Sequence, residues 1–237
     1  MVANPTVHFS PAALDFLDEL EHHNDRDWFA EHKTTYEDEL KSRMLEVAAA
    51  VNERLADFAP AHVRPPNKAM LRIYRDVRFS KDKSPYKTHM AAHWPQQGVE
   101  GGAGFFLQVG ARSLMIAGGA YSPRPEQLSA IRDHILAHEH ELRSLLDDAD
   151  LTRLFEPLDG DPLVRAPRGF PPDHPAVDLL RNRRWAMTAH LPGAASENPD
   201  FLDVVVERFR AIAPLIAFLN VPLATLELTR SLTEGRA

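Results

Sequence analysis

FFLQVGARSLMIAGG, residues 105–119, reads as two strands back to back. Phe105, Leu107 and Val109 recur at every second position, the period that places side chains on one face of a strand. After a short connection at Gly110–Arg112, Leu114 and Ile116 resume the alternation, which predicts an antiparallel hairpin. Gly118 and Gly119 mark a place where backbone or ligand comes close to the second strand. Upstream, Gln96–Gly104 carries four glycines and reads as a mobile loop, while His89–Trp94, ended by Pro95, reads as a further strand. Leu71 and Ile73 alternate with Arg72 and Tyr74 in another. Downstream, Trp185–Leu191 is the last strand-like run.

Helical patterns flank this β region on both sides. Ser10–Pro11 is a hydroxyl cap followed by a first-turn proline, and Leu14, Leu17 and Leu20 follow at helical spacing. Asp25 opens a second element through Trp28 and Phe29. Tyr36, Leu40, Met44, Val47, Val51, Leu55 and Phe58 then form a single apolar stripe, which predicts a helix crossing a whole domain. Past the hairpin, Pro123 and Pro125 introduce a helix through Leu128, Ile131 and Ile135, continuing toward Leu142 and Leu145. Leu151–Phe155 is a short helical turn, Gly160–Pro175 a proline-rich loop, and Pro175 the start of a short helix through Leu180. Asn198–Pro199 repeats the cap-and-proline start before Leu202, Val205, Phe209, Ile212, Ile216 and Leu219. Pro214 inside that stripe predicts a kink or two consecutive helices. The expectation is a single α+β domain over residues 5–222 with a weakly patterned tail at 223–237. Its antiparallel sheet of about 4–6 strands is packed by long N-terminal, middle and C-terminal helices.

The chain holds 237 residues with a formal charge of −7 and no cysteine, so disulfides, thiolate nucleophiles and cysteine-held metals are excluded. It has no run of 18 apolar residues, and MVANPTVHFSPAAL has neither a basic leader nor an apolar core. A soluble cytoplasmic protein with no membrane partner is the expectation; oligomeric state is not legible.

Met70–His89, MLRIYRDVRFSKDKSPYKTH, breaks the acidic pattern: it carries +4, so the remainder sums to −11. Extending the strand phase puts Arg75 on the side of Val77 and Phe79. An inward arginine must be paired, or the strand must bulge there. Arg72, Arg75, Arg78, Lys81, Lys83 and Lys87, with Ser80 and Tyr86 beside them, are the residue types that hold phosphate or carboxylate. Ser84 and Thr88 add hydroxyls. Asp76 and Asp82 either orient these cations or act as base or metal ligand, and His89 is the candidate acid or base. Internal salt bridging of the same charges is the alternative. His89 and His93 would share a metal only on a helix; on a strand they stand about 13 Å apart, so no metal and no cofactor is expected.

RIYRDVRFSKDKSPYKTH, NDRDWFAEHKTTYE, GGAYSPRPEQLSAIRDHI and RAPRGFPPDHPAVDLLRNRRW together resemble an uncharacterised bacterial family, domain of unknown function 2461, over about Phe9–Leu219. The resemblance implies a single-domain protein and supplies no reaction. It adds Asn24, Arg26, Trp28 and Phe29, then Gly119–Pro125, then Arg165–His174 with Arg168, as places of interest. If these converge on Arg75–Lys87, the product is a cationic, aromatic-lined pocket for an anionic small molecule, with catalysis left open. The alternative is a nucleic-acid or acidic-protein binding module built on the same stretch.

Overall fold

A computed structural model describes residues 7–234. The assigned domain start at Pro5 and the end of the tail, residues 235–237, lie outside the described residues, as does MVANPT of the N-terminal stretch. The order is α1 (Pro11–His22), α2 (Arg26–Glu31), α3 (Lys33–Thr35), a π-helical stretch (Tyr36–Lys41), α4 (Ser42–Phe58), a 3-10 turn (Pro60–His62) and α5 (Pro66–Ala69). Next come β1 (His89–Pro95), β2 (Gly104–Gly110), β3 (Ser113–Ala120), α6 (Pro125–Ala137), α7 (Glu139–Leu146), α8 (Ala149–Leu154) and α9 (Val177–Leu180). β4 (Trp185–Pro192), a 3-10 turn (Gly193–Glu197) and α10 (Phe201–Glu234) complete the chain. The four strands form one antiparallel sheet in the order β1-β2-β3-β4, so the fold is α+β with N-terminal, middle and C-terminal helices.

Backbone contacts divide the chain into two units. The first holds residues up to His93 with Phe106–Ile116 and His190–Glu207; the second holds Trp94–Phe105, Ala117–Ala189 and the chain from Arg208 on.

In the first unit α1 starts as expected: the Ser10 hydroxyl accepts from the Ala13 amide and Pro11 takes the first helical position. Asp25 caps α2, its carboxylate accepting from the Asp27 and Trp28 amides at 2.9 Å. The apolar stripe is buried from Tyr36 to Leu55, with Phe58 half-buried at its end. Its first turn is wider than an α-turn, and the four-residue steps Tyr36–Leu40–Met44 suit that geometry. Phe16, Phe29 and Tyr36 cluster here, with Phe29 and Tyr36 ring centroids 5.1 Å apart.

In the second unit Trp94 and Phe105 both meet Phe209, at centroid separations of 5.6 and 4.9 Å. Gly119 has φ +125°, and a Cβ there would lie 2.1 Å from the Trp185 carbonyl oxygen. The approaching group that its sequence context called for is therefore the backbone of β4. The glycine-rich segment 96–103 differs from the mobile loop expected. Val99 and Ala103 are buried, and the buried Asn220 side chain donates to the Ala103 carbonyl at 3.0 Å and accepts from its amide at 2.9 Å. Gln127 also donates to the Glu100 carbonyl at 2.7 Å.

The continuous helix expected past Leu142 is broken at His138 into α6 and α7. At Pro214 two consecutive helices do not form: α10 is one 34-residue helix with Pro214 and Pro222 inside it, and it continues into the expected tail as far as Glu234. Burial of Phe209, Ile212, Leu215, Ile216, Leu219 and Leu223 supplies what the missing proline hydrogen bonds withhold. By length and composition α10 is long and apolar enough to cross a bilayer, a test that the core helix of a soluble protein also passes.

Asn220 is the buried polar side chain that closes the 96–103 segment. Asn220→Ala strands a buried amide and carbonyl and is expected to cost about 2–4 kcal/mol, read as a lower urea midpoint with an unchanged slope.

Candidate functional site

The 70–88 segment does not form the ladder strand that Leu71 and Ile73 imply. Its strand contacts are isolated bridges, Met70 with Ala92 and Tyr74 with Tyr86. Met70 and Tyr74 are four positions apart but Tyr86 and Ala92 are six, so the pairing slips by two residues before Arg75 is reached. Such a slip re-aims side chains as a bulge does. The alternation fails with it: Ile73 is buried, whereas Phe79, expected on the same side, is 96% exposed. Beyond the bridge the Arg75 amide donates to the Pro85 carbonyl at 2.9 Å, and the Lys87 amide to the Ile73 carbonyl at 2.8 Å. The result is a two-armed excursion projecting from the start of β1.

Its tip is held by the two aspartates. Asp76 accepts from the Arg78 backbone amide and binds the Arg78 guanidinium through both oxygens, at 2.9 and 2.6 Å. Asp82 accepts from the Ser84 amide at 2.9 Å and from the Ser84 hydroxyl at 2.6 Å, and pairs with Arg75. A carboxylate closing on the amide two residues ahead is an Asx-turn, the local geometry that aspartate favours. Arg78 holds the Asp76 carboxyl below its ordinary range; Ser84 and then Arg75 hold Asp82 well below it. Both are ionised at neutral pH. Lys83 donates to the Val77 carbonyl at 2.9 Å, and Lys87 to the Arg72 carbonyl at 3.0 Å.

The base of the excursion is fastened to the α1–α2 corner. Asn24 donates to the Tyr86 carbonyl and accepts from the Tyr86 amide, both at 3.0 Å. The Tyr86 ring stacks on Phe29 with centroids 4.0 Å apart. Between this fastening and β1 lies an open cavity of 290 Å³ lined by Glu21, Asn24, Arg75, Asp82, Ser84, Tyr86, Lys87, Thr88 and His89. The Lys87 ammonium is made easier to deprotonate by burial and then by Arg72. His89 is held below its ordinary pKa by burial and then by Lys87, so at neutral pH it lines the cavity as the uncharged imidazole.

Arg75, Asp82, Tyr86, Lys87 and His89 are thus brought together from the candidates that the sequence offers. Arg72, Asp76, Arg78, Lys81 and Lys83 are exposed on the excursion, and Ser80 is half-buried at its tip. Arg26 is exposed on α2, its charge opposing the burial that raises the Tyr86 pKa. Trp28 is half-buried and stacked on His32 at 4.1 Å, a packing role. Arg168 is exposed in the 160–175 loop of the second unit. Glu21, an acidic helix end that the basic stretch could pair with, lines the cavity, whereas the clamping role of Asn24 is what residue chemistry alone did not supply. A lone Asn after a helix carries no signal of its own; the quoted motif around it was the available pointer.

His89 and His93 both stand on β1. Among the described residues no group of three or more His, Asp or Glu side chains is placed to hold a metal ion. His93 is pushed down to about 4, by burial first and then by Arg64 and His62. An imidazole held below its unfolded value keeps its full stabilising share above about pH 6.5 and loses it as pH falls toward 4. That loss is on the order of 3 kcal/mol if the whole shift is realised. Urea midpoints should therefore decline between pH 6.5 and 4.5, and His93→Gln should flatten the decline; an unaltered profile in that variant would refute the assignment.

No curated protein matches this chain, and no solved structure does. The family model described as a conserved hypothetical protein (DUF2461) matches residues 12–218, which include the excursion, its Asn24 clamp and every residue lining the cavity. The chain belongs to the DUF2461 family.

Proposed function

We propose that this protein binds a small molecule bearing a phosphate or carboxylate in the cavity beneath the excursion. The observation that carries the reading is the meeting there of Arg75, Lys87 and the Ser84 and Thr88 hydroxyls beside a neutral His89. A guanidinium and an ammonium provide directed donors for an anion, and hydroxyls complete its shell. Asp82 pre-orients Arg75, so that less side-chain freedom is lost on binding. Glu21 and Asp82 balance the two cations, which favours a ligand with a donor of its own, such as an amine or hydroxyl, over a bare anion. A volume of 290 Å³ sits at the low end of the roughly 300–1,000 Å³ of ligand pockets and suits a small metabolite. If the ligand is turned over, His89 is the base, since Asp76 lies outside the cavity lining and Asp82 is engaged with Arg75 and Ser84. The reading carries with it a cytoplasmic setting, where such metabolites are abundant.

Thermal shift against inorganic phosphate and a panel of phosphorylated and carboxylated metabolites tests this. Wild type should be stabilised, and Lys87→Ala should weaken the apparent affinity about 10- to 100-fold, the share of a charge-assisted contact. A ligand that shifts wild type and Lys87→Ala equally would rule the cavity out.

A further inference from the structure

The most exposed large apolar side chain of the described residues is on the excursion and takes no part in the cavity. Phe79 is 96% exposed at the tip, with the Arg78 guanidinium 5.9 Å from its ring centroid, and Tyr74 is 54% exposed on one arm. Presenting a whole phenyl ring to water has no folding benefit, and the turn around it is already closed by Asp76, Asp82 and Lys83. Both acids of the segment form their ion pairs with Arg75 and Arg78, which leaves Lys81 and Lys83 out of those pairs and Arg72 acting on Asp76 only through its charge. The segment keeps its surplus of +4 on a protein of net −7. A local cationic field around an exposed ring, on an otherwise acidic surface, is an arrangement for a polyanion with planar groups.

We infer that the tip docks single-stranded nucleic acid, with Phe79 as a stacking platform for a base and Arg72, Lys81 and Lys83 on the neighbouring phosphates. Tyr74 lies five residues from Phe79, at most about 18 Å along the chain, so the two rings fall within the span of a few nucleotides. Single strands fit better than duplex, because an isolated ring on a narrow loop meets unstacked bases and cannot read a paired groove. A bilayer surface is the poorer match. Phe79 is alone among large apolar side chains at the tip, and the segment forms no amphipathic helix to lie in the interface.

Fluorescence anisotropy of the full chain with a labelled 20-nucleotide oligothymidylate, in parallel with anionic phosphatidylserine vesicles, tests the inference. Binding to the oligonucleotide is expected at 50 mM salt, with affinity falling on a log–log slope of about −2 for three phosphate contacts. Phe79→Ala should weaken it about 5- to 100-fold, while an Arg72→Gln, Lys81→Gln, Lys83→Gln triple variant should flatten the slope. Phe79 and these cations are exposed, so circular dichroism should be unchanged in all variants. No oligonucleotide binding at 50 mM salt, vesicle binding in its place, or equal binding by Phe79→Ala would each overturn it. Phosphate binding in the cavity should survive Phe79→Ala, and oligonucleotide binding should survive Lys87→Ala.

Discussion

One asparagine holds the excursion in place. Asn24 pairs with both the amide and the carbonyl of Tyr86, as a neighbouring strand would, at a point where the chain has left its ladder. Two such bonds at about 1 kcal/mol each, with the Phe29–Tyr86 stack adding a similar amount, set the arm against the α1–α2 corner. Everything on the cavity's other wall depends on that contact. Arg75 reaches the cavity because its arm is anchored, and His89 begins β1 immediately beyond it.

The charges of the segment divide into two groups with different work. Asp76 and Asp82 close turns and hold Arg78 and Arg75, and exposed pairs of this kind stabilise a fold by only about 0–1 kcal/mol. Their value lies in geometry, since each fixes a guanidinium that would otherwise sample many rotamers. Lys87 bends back onto a backbone carbonyl at the cavity and Lys83 onto one at the tip, while Arg72 and Lys81 leave their charge toward solvent. Internal pairing and the proposed ligand site are thus compatible in this segment: the ion pair of Arg75 with Asp82 forms part of the cavity wall.

What was legible in the sequence follows from how local each cause is. The hairpin, the Ser10 and Asp25 caps and the apolar stripe from Tyr36 are short-range patterns, and each formed where the pattern lay. The inward or bulged choice at Arg75 was readable as a conflict of phase, and the structure resolves it with both a register slip and a carboxylate. Long-range pairing was not readable. Asn220 on Ala103 spans 117 residues and turns a glycine-rich stretch into a fixed one; Asn24 on Tyr86 spans 62. Pro214 lacks its amide hydrogen as local chemistry dictates, yet burial along α10 keeps one helix where two consecutive helices were an alternative. Of the cavity, the cations, the hydroxyls and His89 were visible as residue types; which of them would face one another was set by the clamp.

The clamped arm and the start of β1 together form the proposed anion site. A crystal structure of the full chain grown with a phosphate-bearing ligand tests it most directly. Anion density is expected within hydrogen-bonding distance of Arg75 and Lys87, with Asn24 still paired to Tyr86. Anion density elsewhere on the protein with the cavity holding solvent alone, or an excursion detached from Asn24, would contradict it.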